Sequence, residues 1–171
     1  MATIAELQSQ LKSPTPQARW LAAWHLAQAG KEAAPALAEA LEHADATVRY
    51  WAAVGLGNAG DKAAAGPLRA ALKDESGDVG VAAAEALIRL GEQADGLGGL
   101  IAALNHPSEW VRLRALHAVK RLGPAAGDAL DAARKAASGA GYPGRMAEHF
   151  RAENGQPAKG KEQKKGKRIS P

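Results

Sequence analysis

One sequence pattern recurs four times along the chain at intervals of about 30 residues. Its fullest copy spans residues 48–60, which begin with a hydrophobic residue and an arginine, keep small residues in the middle and end on a glycine. A period of this length that keeps its register predicts a solenoid of two-helix units. The terminal glycines, spaced 30, 31 and 32 residues apart, are Gly30, Gly60, Gly91 and Gly123.

The first helix of each unit can be numbered from the residue after the first hydrophobe, which we call the arginine slot. Alanine stands at position +3 in all four copies, and positions −1, +7 and +10 hold only alanine, valine or leucine. At about 100° per residue these positions share one buried face, and alanine lets two helices approach closely. The closing glycine fits a left-handed cap. The slot itself holds Arg19, Arg49, Gly80 and Arg112.

A second helix is predicted in each unit. Pro35 and Pro67 fit its first turn, where a missing N–H costs little. Leucines then recur at i, i+4, as in the pair Leu68 and Leu72. In the third unit the run Gly-Leu-Gly-Gly at 96–99 stands at the front of this helix and predicts a frayed or kinked start.

Composition favours helices and excludes several kinds of site. Aromatic residues make up only 4% of the chain, fewer than a sheet would need. The chain has no cysteine, which excludes disulfides, thiolate metal sites and cysteine nucleophiles. No apolar run approaches the roughly 18 residues of a membrane span, and the first residues lack the features of a signal peptide. We therefore expect a soluble protein, cytoplasmic by default.

The net charge of +4 arises at the end of the chain. Residues 154–171 carry a net charge of +5 with almost no hydrophobic residues, and we expect them to be disordered. Such a tail could contact nucleic acid, anionic lipid or acidic protein, or serve solubility alone. Its basic residues are Lys159, Lys161, Lys164, Lys165, Lys167 and Arg168.

These patterns predict an all-α, right-handed α-solenoid of antiparallel helix pairs, with about ten helices. A capping helix at 1–12 precedes the repeats, and a half-unit at 138–153 separates them from the basic tail at 154–171. The four full units, which together span 13–137, lie at about 13–43, 44–74, 75–106 and 107–137.

The units resemble HEAT repeats, especially the short bacterial kind shared with phycobilin lyases. The resemblance rests on the valine–arginine pair, the Ala-Ala centre, the Leu-x-x-x-Gly end and the Pro-x-Leu-x-x-x-Leu second helix. Three runs, 49–57, 82–87 and 109–116, also look like the C-terminal HEAT-repeat region of some bacterial sulfatases. That resemblance implies an accessory region, periplasmic in a secreted enzyme. Sulfatase activity is not implied, because the Cys/Ser-x-Pro-x-Arg signature is missing.

No catalytic arrangement stands out in the sequence. There is no Gly-x-Ser-x-Gly elbow, no phosphate-binding loop and no His-Glu-x-x-His helix. The five histidines do not form the His-Glu pairs by which the HEAT-like deoxyhypusine hydroxylases bind iron. We therefore predict no catalytic residue, no metal site and no cofactor.

The arginine slot has a structural and a functional interpretation. We predict that Arg19, Arg49 and Arg112 pair with acidic or carbonyl groups of the neighbouring unit and cover the seam with their stems. The alternative is that these arginines bind a ligand. Gly80 interrupts the series, so the third seam should lack this contact and be the loosest.

The tryptophans give the best indication of a binding surface. Trp24, Trp51 and Val54 are predicted to form an exposed apolar patch on the convex side of the first helices, and such patches mark interfaces. The alternative is that local curvature covers them. Trp20 belongs to an apolar series at position +1 and is predicted to pack between repeats.

We accordingly expect a non-catalytic scaffold for protein–protein interaction or domain docking. Stacked repeats give an extended surface and do not by themselves assemble catalytic groups. One alternative is an accessory C-terminal domain of a bacterial sulfatase or lyase-type enzyme. The other is weak nucleic-acid binding through the basic tail, although the mixed charges of the second helices argue against a nucleic-acid groove.

Overall fold

The computed structural model describes residues 2–123, and within this range it contains eight α-helices and no β-strand. The all-α solenoid predicted from the repeat is confirmed. The remaining predicted helices, the half-unit at 138–153 and the tail at 154–171 lie outside the described residues. The helices are α1 (Ile4–Leu11), α2 (Pro16–Gln28), α3 (Ala34–Ala40), α4 (Ala46–Ala59), α5 (Ala65–Ala71), α6 (Gly77–Leu90), α7 (Gln93–Leu104) and α8 (Glu109–Leu122).

Local sequence sets where these helices begin and end. Helix α1 starts with a capping box, in which the Glu6 amide donates to Thr3 Oγ1 and the Thr3 amide donates to the Glu6 carboxylate. Helices α4 and α6 end on Gly60 and Gly91 in the left-handed region, with φ of +67° and +89°. The predicted left-handed caps are confirmed at these two positions.

The first helices α2, α4, α6 and α8 pack side by side in that order, and the second helices α3, α5 and α7 pack against them. Each predicted unit from 13 to 106 contains one such helix pair, and 107–137 contains α8. The alanine at position +3 is at most 1% exposed in every copy. The predicted stripe is thus buried at +3 in every copy, whereas the first copy departs from it at −1 and +10, where Ala18 is half-buried and Ala29 is exposed.

Neighbouring first helices approach so closely that some positions exclude a side chain. A Cβ placed on Gly57 of α4 would lie 2.9 Å from the Cα of Ala86 on α6. A Cβ on Gly55 would lie 2.7 Å from the Cα of Ala27 on α2. The small residues of the repeat thus fix the spacing between units.

Helix α7 differs from its prediction. The glycine-rich run 96–99 lies inside a continuous helix from Gln93 to Leu104, so the expected frayed start is wrong. A Cβ on Gly96 would lie 2.5 Å from Cγ1 of Ile88, and one on Gly99 would lie 2.6 Å from Cδ2 of Leu72. Packing overrides the low helix propensity of glycine here, because the missing side chains let α7 lie close to α6.

The core divides into two hydrophobic clusters that meet at α6. One face of α6 packs with α1 to α5 through residues such as Leu87, and the opposite face packs with α7 and α8 through Val81 and Ile88. Helix α6 is consequently buried on nearly all sides. No helix within residues 2–123 is long and apolar enough to cross a membrane.

Candidate functional site

The arginine slot lies at the edge of the solenoid where the loops between units run. The Arg49 guanidinium, only 8% exposed, forms a two-point ion pair with Asp74, whose oxygens lie 2.8 and 2.9 Å from Nε and Nη2. It also donates to Glu75, at 3.0 Å. Its Nη1 donates to the carbonyl oxygens of His43 and Ala44, at 2.8 and 3.0 Å. Arg49 therefore ties the loop before its own helix to the loop of the next unit.

The other two arginines share the contact to backbone carbonyls, and Arg19 also shares the ion pair to the next unit. Arg19 donates to the carbonyl oxygen of Ser13 at 2.9 Å and to Asp45, the N-cap residue of α4, at 2.9 Å. Arg112 donates to the carbonyl oxygen of His106 at 2.7 Å. In each of the three units that carry an arginine, the guanidinium thus donates to the carbonyl oxygen of the residue six positions earlier.

The third seam is joined in a different way. Gly80 has no side chain to bond, and the matching loop of the next unit, 105–108, carries no carboxylate. Helices α6 and α8 are instead joined by an ion pair in which Arg121 Nη2 lies 2.8 Å from both carboxylate oxygens of Glu85. That this seam is the loosest stays a prediction.

A second recurring hydrogen bond was not predicted from the sequence. In each unit, the residue six positions before the arginine slot uses its side chain to accept a hydrogen bond from the backbone N–H two residues further on. The residue type changes from copy to copy, so only the shared ability to accept a hydrogen bond could have indicated it. The acceptors are Ser13 Oγ, His43 Nδ1, Asp74 Oδ1 and His106 Nδ1, at 3.3, 2.9, 2.8 and 3.0 Å.

The loop carboxylates that pair with arginine titrate below their usual range. Burial raises the pKa of the Asp74 carboxyl, but hydrogen bonds from Arg49 and the Ser76 amide outweigh burial and lower the net pKa. The pKa of Asp45 is likewise lowered, because bonds from Arg19 and the Thr47 amide outweigh its burial. Both aspartates are thus held in the charged form that the arginines need.

We use "outer face" for positions −2, +1, +2, +5 and +9 of the first helices, which lie on the side of each helix opposite the stripe at −1, +3, +7 and +10. On α2 this face exposes three large apolar side chains, Trp20, Leu21 and Trp24, which are 45%, 44% and 36% exposed. On the adjacent α4, Trp51 and Val54 are half-buried against the core. We call the apolar outer-face residues of α2 and α4 the aromatic half: Trp20, Leu21, Trp24, Tyr50, Trp51 and Val54.

Part of the aromatic half is recessed. Tyr50 and Trp51, whose rings meet edge to face at 5.3 Å, line a groove of about 410 Å³. Arg114 of α8 reaches across α6 to this groove, where its guanidinium carbon lies 5.2 Å from the Tyr50 ring centre and its Nε 3.2 Å from Asp78. Trp51 is half-buried here because side chains from three helices converge around it, and its predicted place on a convex interaction surface stays a prediction.

The prediction that Trp20 packs between repeats is wrong. At the same position +1, Val81 and Leu113 are buried, whereas Trp20 is almost half exposed. In the second unit, position +1 is Tyr50. Its ring is covered by Arg114, the residue at position +2 of the fourth unit. At the corresponding position +2, two units after Trp20, stands Ala82, which has only a methyl group where the fourth unit has Arg114.

The outer face of α6 and α8 has a different character, which we call the charged half. Its side chains include the Glu85–Arg121 and Asp78–Arg114 ion pairs, and Arg89 donates to Asn58 at 3.4 Å. Among the described residues, the outer-face positions of α2 and α4 carry no charged side chain. The surface thus changes from uncharged to charged along the stack.

The second helices present no continuous basic surface. Arg69 of α5 forms ion pairs with Glu92 and Asp95 at the start of α7, which neutralise it. Glu39 and Glu42 of the first unit lie exposed on this side. No group of three or more potential metal-ligating side chains occurs within residues 2–123.

The described part of the chain is an α-solenoid of short repeats. Its defining features are stacked helix pairs, small residues where the helices cross, and arginines at the loop edge. A family model of HEAT repeats matches residues 4–88 of this chain. The HEAT-repeat resemblance stated from the sequence is thus supported over this range. No curated protein has a sequence that matches the chain.

Several solved structures, including the following two, are similar in fold to this chain. One chain of the complex of CpcE and CpcF of phycocyanin lyase from Nostoc sp. PCC7120 has a TM-score of 0.65 and 19% identity, covering 88% of this chain and 97% of that one. An engineered protein has a TM-score of 0.50 and 21% identity, covering 79% and 72%. At such identities the likeness concerns the fold alone. Neither protein is a sulfatase, and the sulfatase context stays a prediction.

Proposed function

We propose that this chain is a non-catalytic HEAT-repeat scaffold that docks a protein partner or an adjacent domain through the aromatic half of its outer face. The observation that carries the proposal is the exposure of Trp20, Leu21 and Trp24 side by side on α2. Single exposed hydrophobic residues are ordinary, but a contiguous group of large ones indicates an interaction site.

The composition of the aromatic half supports this role. Tryptophan and tyrosine are enriched at the centres of protein interfaces and supply much of their binding energy. The groove beside Tyr50 and Trp51 offers a recess into which a partner side chain could fit. Arg19 and Arg49 bond to backbone carbonyls and to aspartates of the next unit, and Arg112 bonds to backbone carbonyls, so we assign these arginines to the seams and not to a ligand.

A comparison of tryptophan variants tests the proposal. The tagged chain is expressed in its source cells, and the protein that co-purifies with it is quantified. Trp24→Ala and Trp51→Ala should each reduce the recovered partner about tenfold, because they remove interface aromatics. Circular dichroism should show helicity close to that of the wild type.

Trp110 provides the matched control. It is 75% exposed but lies at the start of α8, outside the aromatic half. Trp110→Ala should leave recovery unchanged. Equal recovery from all variants, with the fold intact, would remove the aromatic half as the docking surface.

A second candidate is an accessory role in a larger enzyme assembly of the lyase or sulfatase type. It is supported by the likeness of fold to a chain of the phycocyanin lyase complex, of which 97% is covered. The test is whether the chain co-purifies with a catalytic subunit, or whether its reading frame continues into a catalytic domain. A partner set without an enzyme, and a frame without such a domain, would exclude this role.

A further inference from the structure

We infer that the partner at the aromatic half is a second copy of this chain, in a symmetric pair in which α2 crosses α2. The inference rests on the proposed function and names the partner of that same surface. Its starting point is the difference in charge between the two halves of the outer face.

Helix α2, where the two copies would cross, carries no charged side chain on its outer face. The charged side chains next to the aromatic half, Asp78, Arg89 and Arg114, lie on its α4 side. The polar outer-face positions of α2 hold Gln17 and Gln28, and those of α4 hold Thr47 and Asn58. All four side chains are exposed and neutral. A docking surface for an acidic or basic partner would instead carry complementary charges.

Near its axis, a two-fold interface favours uncharged side chains. In such an interface the same patch occurs on both copies, so a charged residue near the axis faces its own like charge. Amide and hydroxyl side chains avoid this repulsion, since each can donate to and accept from its copy. On the charged half, a two-fold axis near Arg121, which is 54% exposed, would bring two guanidinium groups together.

The area available indicates a weak dimer. A tryptophan presents on the order of 200 Å², so the exposed parts of Trp20, Leu21 and Trp24 together offer roughly 250 Å² on each copy. The half-buried residues of α4 and the neutral rim extend this area. The total lies near the lower end of the range for specific interfaces, so we expect a reversible dimer with a Kd on the order of 10 µM.

Sedimentation equilibrium of the purified full chain tests the inference. The wild type should shift from the monomer mass of 17.6 kDa to twice that mass as its concentration rises from about 1 to 200 µM. Trp24→Glu should remain monomeric, because it places a carboxylate opposite its own copy. Trp20→Glu serves as a second variant should Trp24→Glu lose its helicity, and Trp110→Glu is the control that should still dimerise.

A charge-reversal mixture tests the symmetry. Trp24→Glu and Trp24→Lys should each be monomeric alone and should form a mixed dimer at low salt, because opposite charges then face each other across the axis. Failure of the mixture to associate would overturn the symmetric α2–α2 arrangement.

Two results would overturn the inference, and each can be told apart from a failure of the proposed function. A wild type that stays monomeric at 200 µM, while Trp24→Ala still loses a different co-purified protein, would mean that the surface binds another partner. A dimer that persists in Trp20→Glu and Trp24→Glu would place self-association elsewhere on the molecule.

Discussion

At the scale of single residues, the arginine slot explains how loops are held to helices. Arg49 satisfies its donors with two backbone carbonyls and two carboxylates. The sequence predicted such partners because the arginine recurs at a fixed place in each unit. It could not name Asp45 and Asp74, since these lie at different positions in their loops, and only the fold brings them to the guanidinium.

Arg49→Leu should lower the free energy of unfolding by about 3–5 kcal/mol, because it leaves Asp74 charged and mostly buried without its partner. The matched control is Arg89→Leu, which removes an exposed arginine whose described contact is a weak bond to Asn58. That variant should lose less than about 1 kcal/mol. Urea unfolding measures both. Equal losses would contradict the structural role of the slot.

The ion pair at Arg49 also predicts how stability depends on pH. The pKa of Asp74 is lowered in the folded chain, so the unfolded chain takes up the proton first as pH falls. The stabilisation is fully present above the unfolded pKa of about 3.9 and is lost as pH falls from there through the folded pKa.

Asp74→Asn should therefore be less stable at pH 7 and lose stability less steeply than the wild type between about pH 5 and pH 3. Asp61→Asn is the control, because its side chain only accepts an N–H from Ala63 and asparagine can do the same. Chemical unfolding at a series of pH values provides the comparison. Parallel curves for Asp74→Asn and the wild type would show that this carboxylate does not contribute.

At the scale of helices, the repeat pattern predicted the fold because the spacing of apolar residues and the positions of small residues act within each helix. The buried stripe and the glycine ends at Gly60 and Gly91 follow from helix geometry alone. The glycine-rich start of α7 and the exposure of Trp20 did not follow. Both depend on what a neighbouring helix presents. Helix α6 lies against the glycines, and alanine stands at the position whose arginine covers Tyr50 in the next unit.

Gly57→Ala should destabilise the protein although alanine is the better helix former. The added Cβ would lie 2.9 Å from the backbone of Ala86, so α4 and α6 would have to separate. Such overpacking costs about 1–3 kcal/mol, against a gain in helix propensity of about 1 kcal/mol or less.

Gly98→Ala is the opposite case in α7. Nothing lies within 4 Å of its added Cβ, so the same change should stabilise by about 0.5–1 kcal/mol. The midpoint of thermal unfolding should therefore move down for Gly57→Ala and up for Gly98→Ala. Shifts in the same direction would mean that the helix contact is not tight at Gly57.

At the scale of the whole molecule, the two sides of the solenoid differ in what they offer a partner. On the second-helix side Arg69 is neutralised by ion pairs, and on the first-helix side an uncharged aromatic half adjoins a charged half. The sequence predicted a scaffold and singled out Trp24, Trp51 and Val54. It could not reveal the groove or the boundary between the halves, because these arise where three first helices meet.

The docking surface can be tested most directly by site-specific photo-crosslinking in the source cells. A photoreactive amino acid replaces Trp24 on the outer face or, in a matched variant, the exposed Glu39 on the second-helix side. The account predicts discrete crosslinked products from position 24, including one at twice the chain mass, and none from position 39. Products from position 39 alone would contradict the assignment of the docking surface to the first helices.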